Sequence, residues 1–149
     1  MPPNANLSTT SVLLIDGNDA ERACLAEGLK HCSPDYLILE ASDGESGLDL
    51  YRRSPRIDCV VLELDLPDRS GFEVLLELVP IVRKPNVAVI VLTRLRHQGV
   101  WKLAKQNGAL ACFVKPYMGC EELDRAIQNA VALVGLLPKE DRYRLHSSF

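Results

Sequence analysis

The stretch that decides the fold is "VVLELDLPDRSGFE", residues 60–73. It begins as a continuous apolar run, which is typical of a strand buried on both faces of a parallel sheet. The run ends at an acid, Glu63, and an acidic turn with Pro67 and then Ser70-Gly71 follow. Because a buried charge is costly unless it is paired, the stretch indicates both a parallel sheet and a functional position at its edge.

The rest of the chain repeats this alternation of apolar runs and helical patterns. The predicted strands span 11–15, 36–41, 57–64, 87–93 and 110–114. Five strands separated by helices predict one α/β domain, a doubly wound parallel sheet covered on both faces. We expect a flexible leader over 1–10, the domain over 11–135 and a polar tail or linker over 136–149.

The predicted helices follow from periodic apolar positions and from cap residues. The first runs from Asp19, a candidate N-cap, to about residue 30. The second is 44–53, and the fourth spans about 97–107, where Gly108 ends it. The apolar stripes of the third and fifth helices are Phe72, Leu75, Leu76 and Val79, and Leu123, Ala126, Ile127, Ala130, Val131 and Val134.

Composition narrows the function classes. The net charge of −3, without a long basic run, excludes direct nucleic-acid binding as the favoured role. No apolar run approaches the length of a membrane span, and the first residues lack the pattern of a signal peptide. Four of the five cysteines lie in apolar-patterned segments, which favours buried, reduced thiols and a cytoplasmic location, and their spacing does not suit a metal site.

Polar side chains follow four of the five predicted strands. These are Asp16, then Glu63 and Asp65, then Thr93, and finally Lys115. In doubly wound sheets the working crevice lies at the carboxyl ends of the strands. The sequence therefore predicts that two or more acids, a hydroxyl and an amine share one crevice.

Several fragments carry a family resemblance, namely "VLLID" with Arg22, "DCVVLELDLPDRSGFE", "VIVLT", Gly108-Ala109 and "CFVKPY". Over residues 11–134 they resemble the receiver domain of bacterial two-component response regulators. The resemblance implies a flavodoxin-like fold with strand order 2-1-3-4-5. It also implies phosphorelay signalling through an aspartyl phosphate, with Mg²⁺ held by neighbouring acids.

The family's functional positions are only partly kept. Thr93 and Lys115 stand at the phosphoryl-contact positions, but Glu63 replaces the phosphoacceptor Asp. Asp16 and Asp65 remain as metal-binding acids, whereas Gly17 stands where the family has a second acid, so we expect Mg²⁺ binding to be weak at best and no other cofactor. Cys112 takes the place of the aromatic switch residue.

These departures predict an atypical receiver, a pseudo-receiver that is not phosphorylated normally and is not an enzyme. Glu63 is interpreted either as a permanent substitute for phospho-aspartate or as a residue that only satisfies Lys115. A receiver phosphorylated at a displaced acid such as Asp65 is the alternative, and a flavodoxin-like ligand binder or enzyme has less support. Arg94 is expected to be solvated, to close over the site or to pair with Glu63 or Asp65.

Partners are expected to be proteins. The resemblance implies contact with a histidine kinase or effector through the fourth helix, the fifth strand and the fifth helix, and it leaves a homodimer open. Val100 and Leu103 of the fourth helix are candidate docking residues. No nucleic acid or membrane partner is expected.

Overall fold

The fold was analysed on a computed structural model of the chain. The structure describes residues 9–115 and 119–137. Most of the predicted leader, most of the predicted tail, and the Pro116 and Tyr117 of the "CFVKPY" motif lie outside the described residues. The division into leader, domain and tail therefore stays a prediction.

Within the described residues, five strands and five helices alternate, as the sequence predicts. The strands are β1 Ser11–Ile15, β2 Leu37–Ala41, β3 Cys59–Leu62, β4 Ala88–Thr93 and β5 Ala111–Val114. The helices are α1 Asp19–Cys32, α2 Gly44–Arg53, α3 Gly71–Leu78, α4 Gln98–Gln106 and α5 Cys120–Leu136.

All strand pairs are parallel, and their order is β2-β1-β3-β4-β5. The order that the resemblance implied is thus confirmed. In this arrangement β1 and β3 are neighbours, with Ile15 opposite Leu62. Their carboxyl ends, which carry Asp16 and Glu63, consequently open at the same edge of the sheet.

Side chains of successive strand residues pack into two separate cores on opposite faces of the sheet. Leu13 and Ile15 point to the core under α2, α3 and α4, while Val12 and Leu14 point to the core under α1 and α5. This alternation follows from the two-residue period of a strand. It explains why the strands read as continuous apolar runs.

The predicted stripe of α3 is partly wrong. Val74, Leu75 and Leu78 are buried, whereas Leu76 is 52% exposed and Phe72 packs only at the margin of the core. A stripe shifted by one position also repeats at helical spacing, and packing against the sheet selects it. The stripe of α5 is confirmed, with Leu123 and Ile127 fully buried.

Side-chain caps set the helix starts. The prediction of Asp19 as N-cap of α1 is wrong by one residue, because the Asn18 side chain accepts the bond from the Glu21 N–H. At the start of α2, both oxygens of Asp68 accept backbone N–H groups, those of Gly44 and Glu45, at 2.8 Å. Slight burial acts to raise the pKa of Asp68, but these hydrogen bonds outweigh it, and the pKa is lowered.

The turn after β3 requires glycine at position 71. A Cβ there would lie 2.7 Å from the Glu63 carbonyl oxygen and would overlap the Leu64 backbone. The Gly71 N–H also donates to the Leu64 carbonyl at 2.8 Å. Gly71 therefore folds the loop back on itself and fixes how the end of β3 enters the crevice.

The cysteines are less buried than the sequence suggests. All five are free; Cys59 is buried, Cys24 is exposed, and Cys32, Cys112 and Cys120 are half-buried. The prediction that four of the five thiols are buried holds fully only for Cys59, and Cys24 is exposed because α1 turns Leu29 rather than Cys24 into the core. Within the described part of the chain, no helix is long and apolar enough to cross a membrane.

Candidate functional site

Four of the five predicted site residues meet at the carboxyl edge of the sheet. Asp16, Glu63, Thr93 and Lys115 follow or end β1, β3, β4 and β5, and all four are buried. Asp65 is exposed and lies on the same cleft, whose volume is about 360 Å³. The structure thus places Asp16, Glu63, Asp65 and Lys115 on one cleft, with Thr93 buried at the adjoining end of β4.

Lys115 is the centre of the crevice. Its Nζ lies 2.5 Å from Asp16 Oδ2, 3.0 Å from Glu21 Oε1 and 3.2 Å from Glu63 Oε1. The lysine is only 8% exposed, so these contacts form in a partly desolvated environment. One ammonium group is thus shared by three carboxylates, which lie just after β1, in α1 and just after β3.

Glu63 has partners on both carboxylate oxygens. Oε2 accepts the N–H groups of Leu64 at 2.7 Å and Asp65 at 3.2 Å, and Oε1 accepts the Arg94 N–H at 3.3 Å besides facing Lys115. The side chain is 4% exposed. A carboxylate can end this buried strand because three backbone donors and one cation replace its water.

Asp16 also has a partner on each of its carboxylate oxygens. Its Oδ1 accepts the Asn18 N–H at 2.9 Å, and its Oδ2 accepts Lys115. The Asp16 backbone carbonyl is also bound, at 2.5 Å, by the Arg22 guanidinium. Asp16 therefore holds the β1–α1 turn and the lysine together.

The residues fit a magnesium ion poorly. Mg²⁺ requires oxygen ligands in near-octahedral positions, but both carboxylate oxygens of Asp16 are engaged and Gly17 supplies no side-chain oxygen. A Cβ on Gly17 would lie 3.0 Å from Pro67 Cδ, so an acid there would also be crowded. Across 9–115 and 119–137, no group of three or more His, Cys, Asp or Glu is arranged to hold a metal ion. Mg²⁺ binding that is weak at best stays a prediction.

Thr93 ends β4, and Cys112 lies within β5, three residues before Lys115. Thr93 is fully buried, and its Oγ1 accepts the Leu95 N–H at 3.2 Å, which shapes the turn after β4. Cys112 packs half-buried on β5 against the core under α2, α3 and α4. Burial raises the pKa of its thiol to about 11, so it is neutral at physiological pH. The switch role of this position stays a prediction.

Two residues of the site were missed or misplaced by sequence reasoning. Glu21 was not predicted; it reaches Lys115 from the first turn of α1, and its only signal was its place directly after the β1–α1 loop. The Arg94 guanidinium, which was expected to be solvated, to close over the site or to pair with Glu63 or Asp65, is 54% exposed and pairs with Glu21 Oε2. Only its backbone N–H contacts Glu63.

Comparisons with known proteins agree on one family. The model of the response regulator receiver domain matches residues 12–128. The chain is 32% identical over 109 residues to Protein CcdB of Bacillus subtilis, covering 72% of this chain and 87% of that protein. It is 27% identical over 122 residues to Sporulation initiation phosphotransferase F of the same organism, covering 82% and 94%.

A solved structure gives the same result. A response regulator receiver domain protein from Clostridium thermocellum superposes with a TM-score of 0.75 at 28% sequence identity, covering 85% of this chain and 98% of its own. The family model, over residues 12–128, includes every crevice residue. The flavodoxin-like α/β fold that the sequence predicts is confirmed.

Proposed function

Because the chain belongs to the response regulator receiver domain family of two-component signalling, we propose that it is an atypical receiver in which Glu63 permanently occupies the phosphoacceptor position. In this proposal the module signals through protein contacts and turns over no substrate. The observation that carries it is the set of three carboxylates already gathered around Lys115.

Charge supports the proposal. A phosphoryl group brings about −1.5 to −2 charges, and a receiver neutralises them with its lysine and a metal ion. Here Lys115 is already engaged by Asp16, Glu21 and Glu63, and the donors fit Mg²⁺ poorly. An incoming phosphoryl group would meet uncompensated negative charge, which opposes transfer.

Position supports it as well. Glu carries one more methylene than Asp, which moves the carboxylate by about 1.5 Å, and a shift of about 1 Å can cost on the order of 100-fold in rate. Both oxygens of Glu63 face backbone donors or Lys115 rather than solvent. The carboxylate is therefore poorly placed for in-line attack on a phosphodonor.

The second candidate is a receiver that is phosphorylated at Asp65. Its support is the exposure of Asp65 on the wall of the cleft, where a phosphodonor has access. Against it, Asp65 lies in the turn bridged to Ser70, two residues beyond the acceptor position. The two candidates differ in a single measurable quantity, the phosphorylation of the native chain.

The test is incubation with acetyl phosphate and Mg²⁺, followed by intact mass measurement. We expect no stable phosphoryl adduct on the native chain and an adduct on the double variant Glu63→Asp with Gly17→Asp, which restores the family's acids. The single variant Glu63→Asp shows whether the acceptor residue alone restores phosphorylation. It is needed because Gly17→Asp also displaces Pro67 slightly. Circular dichroism checks that each variant is folded.

An adduct on the native chain would refute the proposal, and its loss in Asp65→Asn would establish the second candidate. An adduct that survives Asp65→Asn and disappears in Glu63→Gln would place the phosphoryl group on Glu63 itself. That outcome would also contradict the proposed function.

We place the partner surface on α4, β5 and α5, with a histidine kinase or effector as the expected class of partner. Support comes from the family and from the exposure of Leu103 on α4. Val100, the other candidate docking residue, packs partly against the core, so Leu103 carries this part of the proposal. We propose a cytoplasmic location on the ground of the family alone.

A further inference from the structure

Three of the five cysteines lie where α1 packs against the start of α5. Cys24 and Cys32 stand four residues before and after Gly28, so all three positions share one face of α1. Cys120 is the first residue of α5, and its sulfur occupies the space beside Gly28 that a side chain would otherwise fill. A glycine inside a helix is normally unfavourable, and here it makes room for a thiol.

This arrangement brings Cys120 within reach of both neighbours. Residues four apart on a helix have Cβ atoms about 5–6 Å apart, and Cys120 Cβ lies 3.0 Å from the place that a Cβ on Gly28 would take. Cys32 and Cys120 line one open cleft together with Gly28. Cys24 and Cys120 line another, which also contains Lys115.

Two observations favour Cys32 as the partner. Ser33, the residue after Cys32, donates its hydroxyl to Asp124 at 3.0 Å, and Asp124 lies one turn after Cys120. This bond holds the two helix ends in register. Cys32 is also the last residue of α1, where the backbone adjusts most easily to the Cβ–Cβ distance of about 3.8 Å that a disulfide needs.

We propose that Cys32 and Cys120 form a redox-sensitive modification site, which low-molecular-weight disulfides oxidise to an intramolecular bond between α1 and α5. The Cys32 thiolate attacks one sulfur of the small disulfide, which breaks the S–S bond and releases one thiol. The Cys120 thiolate then attacks Cys32 Sγ and releases the second thiol. Both protons of the protein thiols leave with the two products, and two electrons pass to the small disulfide.

The order of attack follows from the environment of Cys120. Burial, together with the nearby Cys32 and Cys24, raises the pKa of the Cys120 thiol. Its thiolate fraction at neutral pH is correspondingly small, so the first attack starts from Cys32. The site uses none of the carboxylates around Lys115 and is independent of the proposed function.

The test is a redox titration of the full chain in mixtures of reduced and oxidised glutathione, followed by alkylation and mass measurement. We expect two of the five thiols to become protected together, in a monomer, and to be released by dithiothreitol. Peptide mapping should join the Cys32 and Cys120 peptides. The oxidised chain should unfold at a higher temperature than the reduced chain.

Matched serine variants identify the pair. Cys32→Ser and Cys120→Ser should each abolish the joint protection of two thiols and leave at most one mixed disulfide with glutathione. Cys24→Ser should behave like the native chain. Cys32→Ser tests the pair even if Cys120→Ser fails to fold, because Cys32 is half-buried at a helix end. Independent oxidation of single thiols, a bond between chains, or a bond from Cys120 to Cys24 would each overturn the proposal.

Discussion

Glu63 and Lys115 show how a single buried charge is made tolerable and how that solution constrains function. The glutamate is held by three backbone N–H groups and the lysine by three carboxylates. Both groups are buried, so each helps to offset the cost of burying the other's charge. Because one ammonium group already serves three carboxylates, the crevice has little capacity for an additional anion.

Replacing Lys115 by methionine tests this balance. The variant leaves Asp16 and Glu63 buried without their cation, and removing one partner of a buried pair typically costs about 3–5 kcal/mol. We expect the free energy of unfolding to fall by about that amount. Urea denaturation followed by the fluorescence of Trp101, the only tryptophan, measures it.

The control is Lys84→Met, on an exposed lysine, which should change stability by less than about 0.5 kcal/mol. Adding Glu63→Gln to Lys115→Met should recover part of the loss, since one of the uncompensated charges is removed. If Lys115→Met is as stable as the native chain, the ammonium does not balance the crevice in the way described.

Sequence reasoning located the strand-end residues of this site but not its helix contribution. Asp16, Glu63, Thr93 and Lys115 follow strands, and parallel strands necessarily bring their ends to one edge. Glu21 instead depends on the angle at which α1 leaves the β1–α1 turn, which no local pattern encodes. The ion pair of Arg94 with Glu21 depends on the same helix angle and could not be predicted either.

At the scale of elements, the helices with strong caps were predicted best. The bounds of α2 follow from Asp43 at its start and from Ser54-Pro55 at its end, both of which act locally. The exposed side of α3 was predicted less well. Phe72, Val74, Leu75, Leu76 and Leu78 offer two overlapping stripes, and only contact with the sheet and α2 decides between them.

An exposed leucine on α4, inside the proposed partner surface, can be compared with an exposed leucine on α3, outside it. Leu76 is 52% and Leu103 is 46% exposed, so glutamate at either place should leave the fold intact. If α4 mediates self-association, Leu103→Glu should hold the chain at its monomer mass of 16.5 kDa. Light scattering over increasing concentration should show a rising mass for the native chain and for Leu76→Glu.

Equal behaviour of the two variants would contradict a specific role of α4. A native chain that stays monomeric at every concentration would exclude the homodimer, and the surface would then have to serve another protein. Val100→Glu is unsuitable for this purpose, because Val100 packs against the core and its replacement would also destabilise the fold.

At the scale of the whole molecule, the sheet separates two cores that the sequence does not distinguish. Continuous apolar strands predict burial on both faces, but they do not tell which helix covers which face or in which order the strands pair. The order came from the family resemblance, and the structure confirms it. Local patterns specify elements, whereas pairing of distant strands specifies their arrangement.

Because the sheet lies between the cores, small cavities on its two sides should act independently. Val74→Ala in α3 removes apolar volume from one core, and Ile127→Val in α5 removes it from the other; both side chains are fully buried. We expect losses of about 2 and about 1 kcal/mol. The double variant should lose the sum to within about 0.5 kcal/mol, since the two side chains share no core.

Urea unfolding measured by both Trp101 fluorescence and far-ultraviolet circular dichroism tests this additivity and the cooperativity behind it. The two signals should coincide in every variant, because one sheet joins the cores into a single unfolding unit. Trp101 on α4 reports the side that Val74 occupies, so a separate early transition of fluorescence in Val74→Ala would reveal two independent halves. If the double variant departs from the sum of the single losses by more than about 1 kcal/mol, the packing of one core affects the packing of the other through the sheet. The geometry of the crevice at the edge of the sheet would then depend on both cores.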